Sequence, residues 1–124
     1  MNEKQQGRKT ILIVEDDADI GSVLFHLLAD ETSYDIVLVT HPGEALAIIT
    51  EITPVLVIFN YQLPEMNGIE LFDQLRRLPH LTQVPAVMVS ATLPWKEINE
   101  RGIRGIDKPF DLDGLLALVH TLTG

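Results

Sequence analysis

The sequence predicts an α/β fold, a parallel sheet with helices on both faces. Three observations predict it. Short apolar runs rich in β-branched residues recur along the chain, as strands buried on both faces do. Between them, apolar residues recur at helical spacing. Pro and Gly stand at the joints. The 124 residues have the size of a single domain, 1-124, long enough to bury a core without staples.

Met1 to Arg8 is polar and reads as a flexible lead-in without the apolar core of a signal peptide. Thr10 to Val14 is the first strand, and Glu15-Asp16-Asp17 follows at once. Ile20, Val23, Leu24, Leu27 and Leu28 make an amphipathic helix from about Asp17 to Ala29, with Asp17 and Asp19 favouring its positive end. Tyr34 to Thr40 is a second strand. Pro42 opens a second helix through Ala45, Ile48, Ile49 and Ile52. Val55 to Asn60 is the third strand, and Pro64 and Gly68 mark the loop after it. Ile69, Phe72, Leu75 and Leu78 form a third helix that Pro79 stops. Pro85 to Ser90 is a fourth strand, and Pro94 to about Arg101 a short helix with Trp95 and Ile98 inward. Arg104 to Asp107 is a very short fifth strand. Asp111 or Asp113 starts a last helix whose leucines, Leu112, Leu115, Leu116 and Leu122, belong to the core with Val119. The pattern is a (βα)5 three-layer sandwich of the flavodoxin-like kind, with sheet order 2-1-3-4-5.

Composition narrows the function. Hydrophobic content of 46% with 22% charged residues fits a soluble globular domain. With no cysteine, thiol catalysis, disulfides and thiolate metal sites are excluded. The four histidines are scattered and lack ligand spacing. A net charge of −9 without a Lys/Arg cluster argues against direct nucleic-acid binding and for protein partners or a bound cation. No apolar run reaches membrane length, so a cytoplasmic protein is expected.

In such a sheet, ligands bind at the carboxyl ends of the strands, where strands one and three lie side by side. Strand one ends in Glu15, Asp16 and Asp17, and strand three in Asn60. Strand four ends in Ser90 and strand five in Asp107 and Lys108. Adjacent carboxylates repel one another, and a hard cation such as Mg²⁺ relieves that repulsion. A hydroxyl and an ammonium opposite suit a phosphoryl group.

Four motifs stand in order, each at a strand end: Ile11 to Asp17, Asn60 to Gly68, Val89-Ser90-Ala91 and Lys108-Pro109-Phe110. With them the chain resembles the receiver domain of bacterial two-component response regulators, over about Lys9 to Leu122. The resemblance implies phosphorelay signalling through protein contacts, with a histidine kinase or an output domain as partner. It implies that Glu15 and Asp16 are the Mg²⁺-holding acidic pair, with Asn60 offering an amide oxygen to a weakly bound metal. It makes Ser90 the switch hydroxyl and Lys108 the lysine that pairs with the site carboxylate, joined to Pro109 by a cis bond. A homodimer stays open.

The chain also departs from the family. The phosphoacceptor aspartate falls on Asn60, and an amide is uncharged and a poor nucleophile. The resemblance then implies a pseudo-receiver, not an enzyme, or else an Asn variant of a phosphorylatable domain. The stretch from Ser90 to Lys108 is several residues short, which should reshape the fourth-helix surface. Gly105 or Ile106 stands where the aromatic switch residue is usual.

Plainer readings accompany each assignment. Glu15-Asp16-Asp17 suits any helix N-terminus, and Asn60 suits a turn that bonds its own backbone. Ser90 suits a helix cap, and Lys108 a solvated surface. Trp95 suits packing better than a partner anchor. A flavodoxin-like cofactor binder would need a glycine- and hydroxyl-rich phosphate loop where the acidic run sits. A Mg²⁺-dependent phosphoester hydrolase would need a carboxylate nucleophile or two metals, and the third strand offers Asn60-Tyr61-Gln62.

Overall fold

Apolar side chains alternate along the central strands, and the alternation decides which layer each one enters. The computed structural model describes residues 9–124, so the expected lead-in, residues 1–8, lies outside the described residues. The strands are β1 (Thr10–Val14), β2 (Asp35–Val39), β3 (Leu56–Asn60), β4 (Ala86–Ser90) and β5 (Arg104–Asp107). The helices are α1 (Ala18–Glu31), α2 (Pro42–Ile48), α3 (Gly68–Arg76), α4 (Trp95–Arg101) and α5 (Leu112–Thr123), with a short 3₁₀ turn at Pro79–Leu81. All strand pairs are parallel, in the order β2-β1-β3-β4-β5 that the sequence predicts.

Leu12, Val14, Val57, Phe59 and Met88 enter one layer, against Ala45 of α2, Phe72 of α3 and Ile98 of α4. Ile11, Ile13, Ile58, Val87 and Val89 enter the other, against Leu24 and Leu28 of α1 and Leu115 and Val119 of α5. A fully buried side chain of this size contributes about 1.5–3 kcal/mol. The two layers therefore hold the sheet rigid from both sides. Among the described residues, no helix is long and apolar enough to cross a membrane.

Local chemistry ends the helices as it starts them. Asp17 caps α1 by accepting from the backbone N–H groups of Asp19 and Ile20. Asn67 and Glu70 close a reciprocal capping box on α3. Asp111, one of the two expected starts, caps α5. Leu78 is extended because Pro79 follows it, and α3 has already ended at Arg76. Gly102 closes α4 in the left-handed region at φ 72°.

Several expectations are corrected. α2 ends at Ile48 and does not reach Ile52; the Thr50 hydroxyl donates to the Ala47 carbonyl, and residues 49–51 form a turn. Val23 is 48% exposed, because the buried stripe of α1 is the narrower Gly21, Leu24 and Leu28. Trp95 is 49% exposed, unlike fully buried Ile98, since it opens α4 at the rim. Leu112 is 39% exposed, because it opens α5 before the buried turn at Leu115.

Candidate functional site

Parallel register brings the strand ends together. Val14 pairs with Phe59, Asn60 with Val89, and Ser90 with Asp107. Each next residue then leaves the sheet at the same rim. Glu15 stays tied to β2 by donating its N–H to the Val39 carbonyl at 3.0 Å. Lys108 is set beside β4 by donating its N–H to the Ser90 carbonyl at 2.9 Å. The Lys108–Pro109 peptide bond is cis, as expected.

Three polar side chains are buried among the described residues, Glu15, Asn60 and Ser90, and all three meet at this rim. They line a cavity of about 280 Å³ with Asp16 and Lys108. Burying a polar group without a partner is costly, so their partners reveal what the site is built to do. Glu15 Oε2 accepts from Asn60 Nδ2 and from the Asp17 N–H at 3.1 Å. Glu15 Oε1 lies 3.5 Å from Lys108 Nζ. Asn60 Nδ2 donates a second bond to Asp16 Oδ1 at 3.2 Å. Asn60 Oδ1 is buried without a hydrogen-bond partner. Ser90 Oγ accepts from the Thr92 N–H at 3.1 Å.

Burial pushes the Glu15 carboxyl above the usual carboxylate range. The Asp17 N–H and then the Lys108 ammonium pull it back, neighbouring Asp16 pushes it up, and the Asn60 amide lowers it.

The sequence-predicted residues Glu15, Asp16, Asn60, Ser90 and Lys108 thus share one cavity. Asp17 lines it too, but its carboxylate is spent on the α1 cap. The Thr92 N–H, which holds the Ser90 hydroxyl, and Gln62 in the cavity wall were not read from sequence. Nothing in their residue type or spacing distinguishes them. An apolar groove of about 560 Å³ beside the site, between Val23, Phe110 and Leu112, was also missed. Its only sign is that Val23 and Leu112 fall at the margins of their helical stripes. Gly105 leaves room that Leu93, Trp95 and Ile98 take up.

As arranged, these side chains do not fit a cation. Between the two carboxylates stand N–H hydrogens, and the amide oxygen that a metal would need is the atom turned away from them. Among the described residues, no group of three or more His, Cys, Asp or Glu side chains is arranged to hold a metal ion. What the rim offers is a polar pocket that sets the Lys108 ammonium, the Ser90 hydroxyl and the Glu15 and Asp16 carboxylates around the Asn60 amide.

Residues 11–120 match the family described as the response regulator receiver domain. The chain is 28% identical over 121 residues to the polar-differentiation response regulator DivK of Brucella anthropi, covering 94% of this chain and 97% of that protein. It is 36% identical over 117 residues to the DNA-binding response regulator MtrA of Mycolicibacterium paratuberculosis, covering 91% of this chain but 50% of that one. The chemotaxis response regulator CheY4 of Vibrio cholerae superposes with a TM-score of 0.83 at 26% identity, over 93% of this chain and 98% of that one.

Proposed function

The chain belongs to the response regulator receiver family, and from that premise we propose that it signals through protein contacts without accepting a phosphoryl group at Asn60. The observation that carries this reading is the carboxamide at the centre of the site, already engaged as a donor to Glu15 and Asp16. An acyl phosphate forms when a carboxylate oxygen attacks phosphorus. An amide is uncharged, and its nitrogen lone pair is delocalised into the carbonyl, so it is a poor nucleophile for that attack. In this reading the protein is not an enzyme. Its partners are a histidine kinase, an output domain or another signalling protein, with direct nucleic-acid contact not expected. A cytoplasmic location and one receiver domain over residues 1-124 complete the reading, and a homodimer is compatible with it.

Receiver domains typically bind Mg²⁺ at the phosphorylation site, where it neutralises phosphoryl charge. Here Glu15 and Asp16 would be the residues to hold it, and the Asn60 oxygen would join them only if the amide turned over. Weak binding is therefore expected, weaker than in an Asn60→Asp protein. Ser90 and Lys108 are assigned the switch and phosphoryl-contact positions.

A second reading has its own observation. Glu15, Asp16, Ser90 and Lys108 all face the same cavity, so only the nucleophile is missing. The chain would then be an Asn variant of a phosphorylatable receiver. Acetyl phosphate separates the two. In Asn60→Asp with Mg²⁺, a carboxylate oxygen attacks phosphorus, acetate leaves, and intact mass rises by one phosphoryl group. Native protein should show no gain. A gain on native protein would refute the proposed function. A gain on Asn60→Asp alone means that the surrounding site is still competent. No gain on either, with the fold intact by circular dichroism, rules out the second reading.

A further inference from the structure

We propose that the Asn60 carboxamide is a built-in substitute for the cation: its amide hydrogens bridge Glu15 and Asp16, and Mg²⁺ must compete with them for the same two carboxylates. The inference deepens the proposed function and rests on it only in taking Asn60 as the resting residue of the site.

The orientation of the amide carries it. Asn60 is 6% exposed, so both ends of its carboxamide must settle their hydrogen bonding inside the protein. Nδ2 has two hydrogens, and it has two carboxylate partners, Glu15 Oε2 and Asp16 Oδ1. Oδ1 has none. Turning the amide over would set that oxygen against two anionic oxygens and leave both carboxylates without this donor. The orientation is therefore fixed by the acidic pair at the expense of the oxygen. Lys108 Nζ, 3.5 Å from Glu15 Oε1, supplies the full positive charge that an amide lacks. Together, a neutral donor and an ammonium do what a divalent ion does elsewhere. They offset much of the repulsion between two adjacent carboxylates at the end of β1, with one negative charge left over. Hydrogen bonds to charged groups are the stronger ones, so the bridge is a real competitor.

The decisive variant is Asn60→Ala, which removes the amide and adds no charge. If the amide is a competitor, its loss tightens Mg²⁺ binding. If the amide oxygen is a ligand, its loss weakens it. Mg²⁺ is titrated into native protein and Asn60→Ala, following backbone amide NMR shifts near Asp16. We expect Asn60→Ala to bind about tenfold tighter, the effect of one charge-assisted hydrogen bond no longer broken. Equal or weaker binding by Asn60→Ala overturns the proposal. Should that variant fail to fold, Asn60→Asp serves through thermal melts. Without the donor and with a third carboxylate, it should melt below native protein in EDTA and recover in Mg²⁺. A melt at or above native in EDTA overturns the proposal as well. Neither readout involves phosphoryl transfer. A phosphate gain on native protein would therefore defeat the proposed function and leave this competition standing, and the reverse holds for a failed titration.

Discussion

β3 is buried at all five of its positions and pairs on both sides, whereas none of the four residues of β5 is buried and it pairs with β4 alone. Both strands deliver a residue to the same cavity, Asn60 from β3 and Lys108 just after β5. They are held by different means. Phe59 of β3 is stacked on Phe72 of α3 with ring centroids 6.5 Å apart, inside a continuous apolar layer. β5 is covered by α4, which is anchored by one buried side chain, Ile98, and by a two-pronged pair from Arg101 to Asp73 at 2.7 and 3.0 Å. The difference teaches where the site can give. Asn60 sits on a part that packing fixes. Lys108 comes from an edge that a few contacts and charges hold.

Truncating one side chain in each region is the strongest way to break this comparison. Phe59→Ala should cost about 3–5 kcal/mol, the usual range for an aromatic removed from a packed core. Ile106→Ala, on half-buried β5, should cost clearly less. Urea denaturation of both variants checks it, and equal costs would erase the distinction. Gly68→Ala comes next. A Cβ there would lie 2.4 Å from the Asn60 carbonyl oxygen, so a backbone group of β3 must move. Overpacking of this kind costs about 1–3 kcal/mol. The displaced Asn60 should also lose its grip on Glu15 and Asp16. NMR shifts of the Asn60 side-chain amide would record that loss, and unchanged shifts would show that the centre yields more easily than packing implies.

How much was legible follows the same division. The run from Val55 to Phe59 announces a buried strand because packing on both faces demands apolar residues at every position. The strand ends, and with them Glu15, Asp16, Asn60, Ser90 and Lys108, then follow from topology alone. At the edge the code is weaker. Trp95 reads as an inward residue by its chemistry, yet it lies half exposed over the space that Gly105 leaves. Residue type cannot tell a rim position from a core position on a helix of seven residues. Nor can it reveal which way an amide turns. The contact of Asn60 Nδ2 with two carboxylates depends on atomic distances that no spacing in the chain encodes.

Acid should loosen the edge through a pair, Arg101 and Asp73, that lies outside the cavity. The hydrogen bond from Arg101 holds the Asp73 carboxyl below its usual range. A depressed carboxyl stabilises the fold above its unfolded value, and the contribution is lost as pH falls through the folded one. The loss thus begins near the ordinary Asp value, about 4, and completes below it. Arg101→Ala should lower the urea midpoint at pH 7 by less than Gly68→Ala does. The gap to native protein should narrow as pH falls below the ordinary Asp value, about 4, and close once Asp73 is protonated in both. Because Arg101 and Asp73 are partly exposed, salt should narrow the gap at pH 7 as well. A gap that persists in acid would mean that α4 is held by packing, as β3 is.

The smallest effect sharpens the comparison most, because it repeats the glycine test at the edge. A Cβ on Gly105 would lie 2.7 Å from Ile98 Cδ1, 3.0 Å from Leu93 Cδ1 and 3.1 Å from Trp95 Cζ3. Numerically these come close to the contacts of Gly68, whose nearest is 2.4 Å. Physically they differ, since each neighbour is the far end of a side chain that can turn, and Trp95 is half open to solvent. Gly105→Ala also restricts the unfolded chain, which offsets some of the crowding. The net change in stability should stay within about 0.5 kcal/mol. The structural response should instead appear at Trp95. It is the chain's single tryptophan, so its fluorescence reports this edge and nothing else. Gly105→Ala should push the indole outward and shift its emission to the red, with the urea midpoint nearly unchanged. A large loss of stability with an unmoved indole would show that the edge is as stiff as the centre. Lys108 would then reach the site from a fixed strand.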